Sequence, residues 1–250
     1  MAATDTAGDT LMRPRSVSAA AVARVTGVSP ATVSYVMNGK GGVSAETRKH
    51  IVSVANELGF RPRQGELKRS GQLTRVIGLI LPNVTNQMYM AWAQSVIDAT
   101  AREGYEVFVS TTQDDAETLA QSAATLAARN VDGVIIAGAL REDTRALRTL
   151  RQHRIPYVYL SRHTAFVAGD FVGINDDAAA TEVMEHVLWH GYREIATVVG
   201  PRISTASLAR EQAFVRTADE HGISITGGRK ISTRLNSDGG RAACRLPTRR

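Results

Sequence analysis

A chain of 250 residues with one cysteine, Cys244, forms no internal disulfide and no cysteine-based zinc cluster. No apolar run approaches the roughly twenty residues that cross a bilayer. The opening stretch, MAATDTAGDTLMRPRS, lacks the apolar core of a signal peptide. Catalytic signatures are missing as well: no Walker loop, no G-x-G-x-x-G behind a strand and no G-x-S-x-G elbow. The six histidines are scattered. His186 and His190 have i, i+4 spacing but lack the glutamate of an H-E-x-x-H zinc site, so they read as an exposed helix face. These absences speak against an enzyme, and they set the expectation of a cytoplasmic, cofactor-free and metal-free protein with no membrane contact.

What is present is unevenly charged. Residues 1–75 hold eleven Lys or Arg against five acids, whereas residues 76–228 hold twelve against eighteen. A basic head on an acidic body suggests a head that meets a polyanion. Residues 18–38, SAAAVARVTGVSPATVSYVMN, lie in that head. Ser18 is a candidate N-cap for a helical run over 19–26, and Gly27 supplies a turn with positive φ. Ser29 then caps a second helix that has Pro30 at its first position. Val22 and Val25 are placed to meet Val28, Val33, Val36 and Met37. Ala31, Thr32, Ser34, Tyr35 and Asn38 are left on a small, hydrogen-bonding outer face. This pattern describes a helix-turn-helix, although a plain αα-hairpin fits the same spacing. Ser44 caps a third helix, whose Ile51, Ala55 and Leu58 form a stripe at i, i+4 and i+7 before Gly59 and Pro62 end it.

The stretch GVSPATVSYVMNG, followed by VSAETRKHIVSVANELGFRP, resembles the DNA-binding head of the lactose-repressor family of bacterial transcription factors. The resemblance is close over residues 18–62 and continues more loosely to about Leu246. It implies that Pro30, Ala31 and Tyr35 read base edges, and that Ser29, Thr32, Ser34, Asn38, Ser44 and Thr47 hold phosphates. Hydroxyls, amides and helix N-termini suit the second role. Many members of the family carry arginine where Tyr35 stands, and tyrosine offers one hydroxyl and a ring edge in place of a bidentate contact to guanine. Residues 63–74 correspond to the hinge, which in the family wedges a leucine into the minor groove. Here Leu67 falls two residues early and Arg69 takes the expected place. Gly65 weakens a hinge helix by about 1 kcal/mol, so a basic flexible linker is an equal reading.

From Val76 the pattern alternates between strand and helix. Apolar runs at 76–82, 105–110, 132–138 and 155–162 are separated by helical stretches around 88–103, 116–129 and 143–152. Short apolar strands between amphipathic helices mean a parallel sheet covered on both faces. FVGIND (171–176), a helix at 178–190, IATVVGP (195–201) and a helix at 206–221 begin a second such unit. The expected fold is therefore α plus α/β. A disordered arm (1–15) precedes a helix-turn-helix head (16–62) and a linker (63–74), followed by a first lobe (75–162) and a partial second lobe with a basic tail (163–250).

The body resembles the family's two-lobed, periplasmic-binding-protein-like sensor, which takes small ligands at the carboxyl ends of its strands. Asn86 and Tyr89 follow the first strand, and Arg210 matches the family's effector-binding arginine. Ser161 stands where members commonly carry an aspartate for sugar hydroxyls, which weakens the sugar expectation; Asn175 and Asp176 lie near enough to replace it in part. Family members continue for about another quarter of their length, and residues 229–250 carry seven Lys or Arg against one acid. A truncated or frame-shifted end is the expectation, with an open second lobe and weak effector control. The resemblance implies a dimeric regulator, most often a repressor, with a double-stranded DNA operator and a small, sugar-like effector as partners. A sensor fragment without productive operator binding is the alternative.

Overall fold

In the computed structural model, residues 17–37, 42–58, 60 and 73–245 are described. The expectations for the arm, for Asn38, Leu67 and Arg69, and for residues 63–72 of the linker lie outside them.

Three helices form the head: α1 (Ala19–Thr26), α2 (Pro30–Met37) and α3 (Ala45–Glu57). Each starts where a serine can satisfy an amide that has no helical partner. Ser18, Ser29 and Ser44 accept from the backbone N–H groups of Ala21, Thr32 and Thr47. Gly27 ends α1 with φ 70°, a left-handed cap that side chains other than glycine resist. Val22, Val33, Val36, Met37, Ile51 and Ala55 have no exposed surface and close one core.

Two expectations fail at its margins. Val25 is 60% exposed, and Leu58 caps α3 at 37% exposure. Phe60 fills the place expected of Leu58 and is 8% exposed; its N–H donates to Ala55 O. The stripe on α3 is instead widened by Val52 and Val54.

The body opens with a five-stranded parallel sheet in the order β2-β1-β3-β4-β5. Its strands are β1 (Val76–Leu81), β2 (Glu106–Thr111), β3 (Gly133–Ile136), β4 (Tyr157–Leu160) and β5 (Asp170–Val172). Helices α4 (Gln87–Arg102), α5 (Ala116–Ala128) and α6 (Arg145–Gln152) make the crossovers. Successive residues point to opposite faces of a strand. Accordingly Leu79 and Leu81 pack with Tyr89 and Ala93 of α4, while Ile80 packs with Leu119, Ala123 and Leu150 of α5 and α6. Gly78 lets α5 approach, since a Cβ there would lie 2.6 Å from Leu126 Cδ1.

Sequence pattern places residues 171–176 at the start of the second unit, yet β5 pairs with β4 and completes the first sheet. The second unit begins with α7 (Asp176–Trp189). It continues through β6 (Thr197–Val199), α8 (Thr205–Glu220), β7 (Lys230–Ser232) and α9 (Ser237–Arg245). Its described sheet is the parallel pair β6-β7, and α7 packs on α8 through Met184, Leu188 and Ala218.

Replacing Ile51 by Ala is expected to destabilise the head by about 2–5 kcal/mol through cavity formation. Leu58→Ala should stay within about 0.5 kcal/mol, as exposed substitutions do. Thermal unfolding followed by circular dichroism checks the pair, and equal losses would put Leu58 in the core.

Candidate functional site

Two surfaces carry chemistry. On the head, the inner side of α2 is held by Val33, Val36 and Met37, which leaves Ser29, Pro30, Ala31, Ser34 and Tyr35 exposed and Thr32 half-buried. Ser29 and Ser44 repeat one motif. Each Oγ accepts from the amide three residues on and lies 2.8 Å from that threonine's Oγ1, in Thr32 and Thr47 respectively. Two helix N-termini are thereby presented with hydroxyls beside them, an arrangement suited to phosphate oxygens. Tyr35 is 50% exposed, with its ring next to Gly42 in the turn before α3.

The second surface lies at the carboxyl ends of the strands. After β1, Asn83 Oδ1 accepts from the amides of Thr85 and Asn86 and turns the chain. Asn86 then caps α4 through Met88 N–H and donates to Leu235 O across to the second unit. Tyr89 follows one turn later and is 2% exposed. Its hydroxyl accepts from Arg162 Nη2 at 2.7 Å, and Arg162 Nη1 donates to Asp114 Oδ1 at 2.6 Å. Burial pushes the Tyr89 phenol up, against the opposing field of Arg162, so the proton stays on. With one lone pair given to Arg162, the O–H is free to donate.

On the second unit, Arg210 of α8 is the candidate effector residue. It is held there by Asp176, whose Oδ1 accepts from both its Nε and its Nη2 at 2.7 Å. Asn175 caps α7 through Ala178 N–H. Asn175 and Asp176 are thus committed to a helix cap and an ion pair at the second lobe's side of the cleft. Ser161 sits at φ 65° beside Arg162, with its N–H on Val172 O. His163 N–H donates to Thr205 Oγ1, and Arg141 N–H donates to Ile203 O, so the strand ends of the first lobe are joined to the start of α8. Burial lowers the His163 imidazole, partly offset by Asp176.

Of the sequence candidates, Asn86, Tyr89 and Ser161 lie at or just beyond the carboxyl ends of the first sheet's strands, and Arg210 lies on α8 of the second unit. Sequence reasoning missed Asp114, Arg162 and His163. One signal was available for Arg162: it ends an apolar strand at the carboxyl edge, where parallel sheets bind ligands. Among the described residues no group of three or more metal-ligating side chains occurs.

A three-helix head with a helix-turn-helix, followed by a parallel-sheet α/β body, defines the architecture of regulators built on a periplasmic-binding-protein-like core. Residues 11–63 match the family model for bacterial regulatory proteins of the lacI family. Residues 74–237 match the model for periplasmic binding proteins and the sugar binding domain of that family. The chain belongs to the LacI family.

Among its relatives, the transcriptional regulator DegA of Bacillus subtilis is 28% identical over 222 residues, covering 88% of this chain and 66% of DegA. MalR of Streptomyces coelicolor is 32% identical, covering 81% and 60%. The maltose regulon regulatory protein MalI of Escherichia coli is 33% identical, covering 81% and 59%. The chain therefore spans about three-fifths to two-thirds of the length of these relatives. The solved complex of the transcriptional regulator CelR with cellobiose superposes with a TM-score of 0.63 at 25% identity, covering 94% of this chain and 70% of CelR.

Replacing Arg162 by Met leaves Asp114 and the Tyr89 hydroxyl without their buried partner, and should destabilise the body by about 3 kcal/mol. Chemical denaturation checks this; a loss below about 0.5 kcal/mol, typical of surface substitutions, would mean the pairing is not formed. Tyr89, Tyr157 and Tyr159 all hold their protons more tightly when folded, because burial raises each above the usual 10.0. The folded state then binds more protons than the unfolded, so stability is full below that value and falls as pH rises through and above it. Unfolding midpoints measured from pH 8 to 11 should decline only in the upper part of that range.

Proposed function

We propose that this chain is a DNA-binding transcriptional regulator whose head reads an operator and whose body answers to a small, sugar-like effector. The observation that carries the reading is the second helix. Its inner face is buried, and its outer face offers Pro30, Ala31 and Tyr35 for base edges, with Ser29, Thr32 and Ser34 for phosphates. Ser44 and Thr47 repeat the phosphate-binding geometry on the third helix, and Asn38, Leu67 and Arg69 are assigned to DNA by the family pattern alone. Asn86, Tyr89, Ser161, Asn175, Asp176 and Arg210 border the effector cleft, with Arg162 and Asp114 fixing its first wall. Pairing of two copies on a pseudo-palindromic site, a cytoplasmic location and the lack of catalysis complete the reading. Among the described residues no helix is long and apolar enough to cross a membrane.

Binding to DNA selected from a random library tests this directly. Six phosphate contacts should give a slope of log K against log salt near −5. Thr32→Ala is expected to weaken all sequences alike, while Tyr35→Arg should draw guanine into one position of each half-site. Salt-insensitive binding, or a selected motif unchanged by Tyr35→Arg, would overturn the placement of the reading helix. No selection at all would leave a sensor without productive operator binding.

A further inference from the structure

We infer that the exposed end of α7 carries a two-histidine chelate for a divalent copper or nickel ion, remote in chemistry from both surfaces above. His186 and His190 lie one helical turn apart, and the His190 N–H donates to His186 O, so regular helix geometry fixes their spacing. Their rings meet edge to face, with planes 73° apart and centroids 4.6 Å apart. By contrast, His153 and His221 turn Nδ1 onto carbonyls of their own helices at 2.9 Å. His163 is engaged between Tyr159 and Phe171.

The spacing selects the ion. A metal about 2.0–2.1 Å from an imidazole nitrogen sits roughly 3.2 Å from the ring centroid. Two centroids 4.6 Å apart then subtend about 90° at the ion. That is the angle between neighbouring ligands in square-planar and octahedral fields, narrower than the tetrahedral angle zinc adopts in protein sites. Both imidazoles are exposed, and rotation about each Cβ–Cγ bond, which leaves the ring centroid nearly in place, aims their nitrogens. Water completes the remaining positions. His190 is also the C-cap of α7, where the negative end of the helix dipole favours a cation, and Glu182 lies one turn before His186. Arg193 is the opposing charge nearby in the chain, and its Nη1 is occupied by Leu188 O and Tyr192 O.

Trp189 supplies the reporter. Its indole is 80% exposed and lies 4.7 Å from the His190 ring and 6.4 Å from the His186 ring, centroid to centroid. A paramagnetic Cu²⁺ held by the two imidazoles therefore sits within contact range of this fluorophore.

The untagged full chain is titrated with Cu²⁺, Ni²⁺ and Zn²⁺ separately, with Trp fluorescence and calorimetry read in parallel and binding to an immobilised-nickel resin as a third readout. One equivalent of Cu²⁺ should quench Trp189, and Ni²⁺ should bind at least as tightly as Zn²⁺. His186→Gln and His190→Gln should each weaken Cu²⁺ binding by at least about tenfold, since loss of one arm removes the chelate's effective concentration. Trp189→Phe should abolish most quenching while calorimetric binding persists. The histidines are exposed, so circular dichroism and urea midpoints of the variants should match the parent. Copper binding that survives the H186Q/H190Q double variant, zinc bound more tightly than nickel, or no saturable binding by the parent chain would each overturn the assignment.

Discussion

A guanidinium with 3% of its side chain exposed is tolerable only if its donors are matched, because an unpaired buried charge costs several kcal/mol. Arg162 meets this condition by reaching two elements far apart in the chain. Asp114 is 48 residues away and Tyr89 is 73. The carboxyl end of β4 is thereby tied to the loop after β2 and to the first turn of α4. Asp114 and Gln113 both take left-handed backbone conformations, at φ 59° and 53°. Non-glycine residues adopt these at a cost, and the short charged contact to Arg162 offsets it. The result is a Tyr89 hydroxyl held in place by a buried guanidinium.

The facing wall uses the same chemistry at greater exposure. Arg210 on Asp176, Arg202 on Glu211 and Arg216 on Asp177 all have their guanidinium on α8 or the turn before it. Asp176 and Glu211 are nearly buried, whereas Asp177 is open to water, so the first two pairs hold geometry more firmly than the third. Hydrogen bonds from His163, Arg141 and Asn86 cross to residues 203–205 and 235. The two units are thus joined by hydrogen bonds, whereas these three ion pairs lie within the second unit.

How much of this was legible follows from sequence distance. The head could be read almost residue by residue, because caps such as Ser18, Ser29 and Ser44 act on amides within three positions, and Gly27 acts on its own turn. Val25 and Leu58 misled because helical periodicity locates a stripe but not its edge. Nothing local shows that Phe60 folds back over Ala55. In the body, strands β1 to β4 stood out as apolar runs. β5 did not reveal its sheet, since Asp170–Val172 is short, exposed and decided only by pairing with Val158–Leu160. Tyr89 was singled out by its place after the first strand, and Arg210 by the family resemblance. Arg162 was not, because a charged residue after an apolar strand looks solvated until partners from two other loops are placed beside it.

Charge in the head is divided in a way that bears on the proposed reading of DNA. The second helix, PATVSYVM, contains no charged residue at all. The excess of basic residues over 1–75 therefore lies on flanking segments, including Arg24 on the first helix and Arg48 and Lys49 on the third. Long-range attraction to a polyanion depends on net charge and not on which base is near. Discrimination depends on short hydrogen bonds and apolar contacts at base edges. Placing the two on different helices lets neutral side chains of the reading face change without altering the field that brings the head to DNA. Charge-neutral substitutions on that face should then leave the salt dependence of binding intact even where they change the sequence preferred.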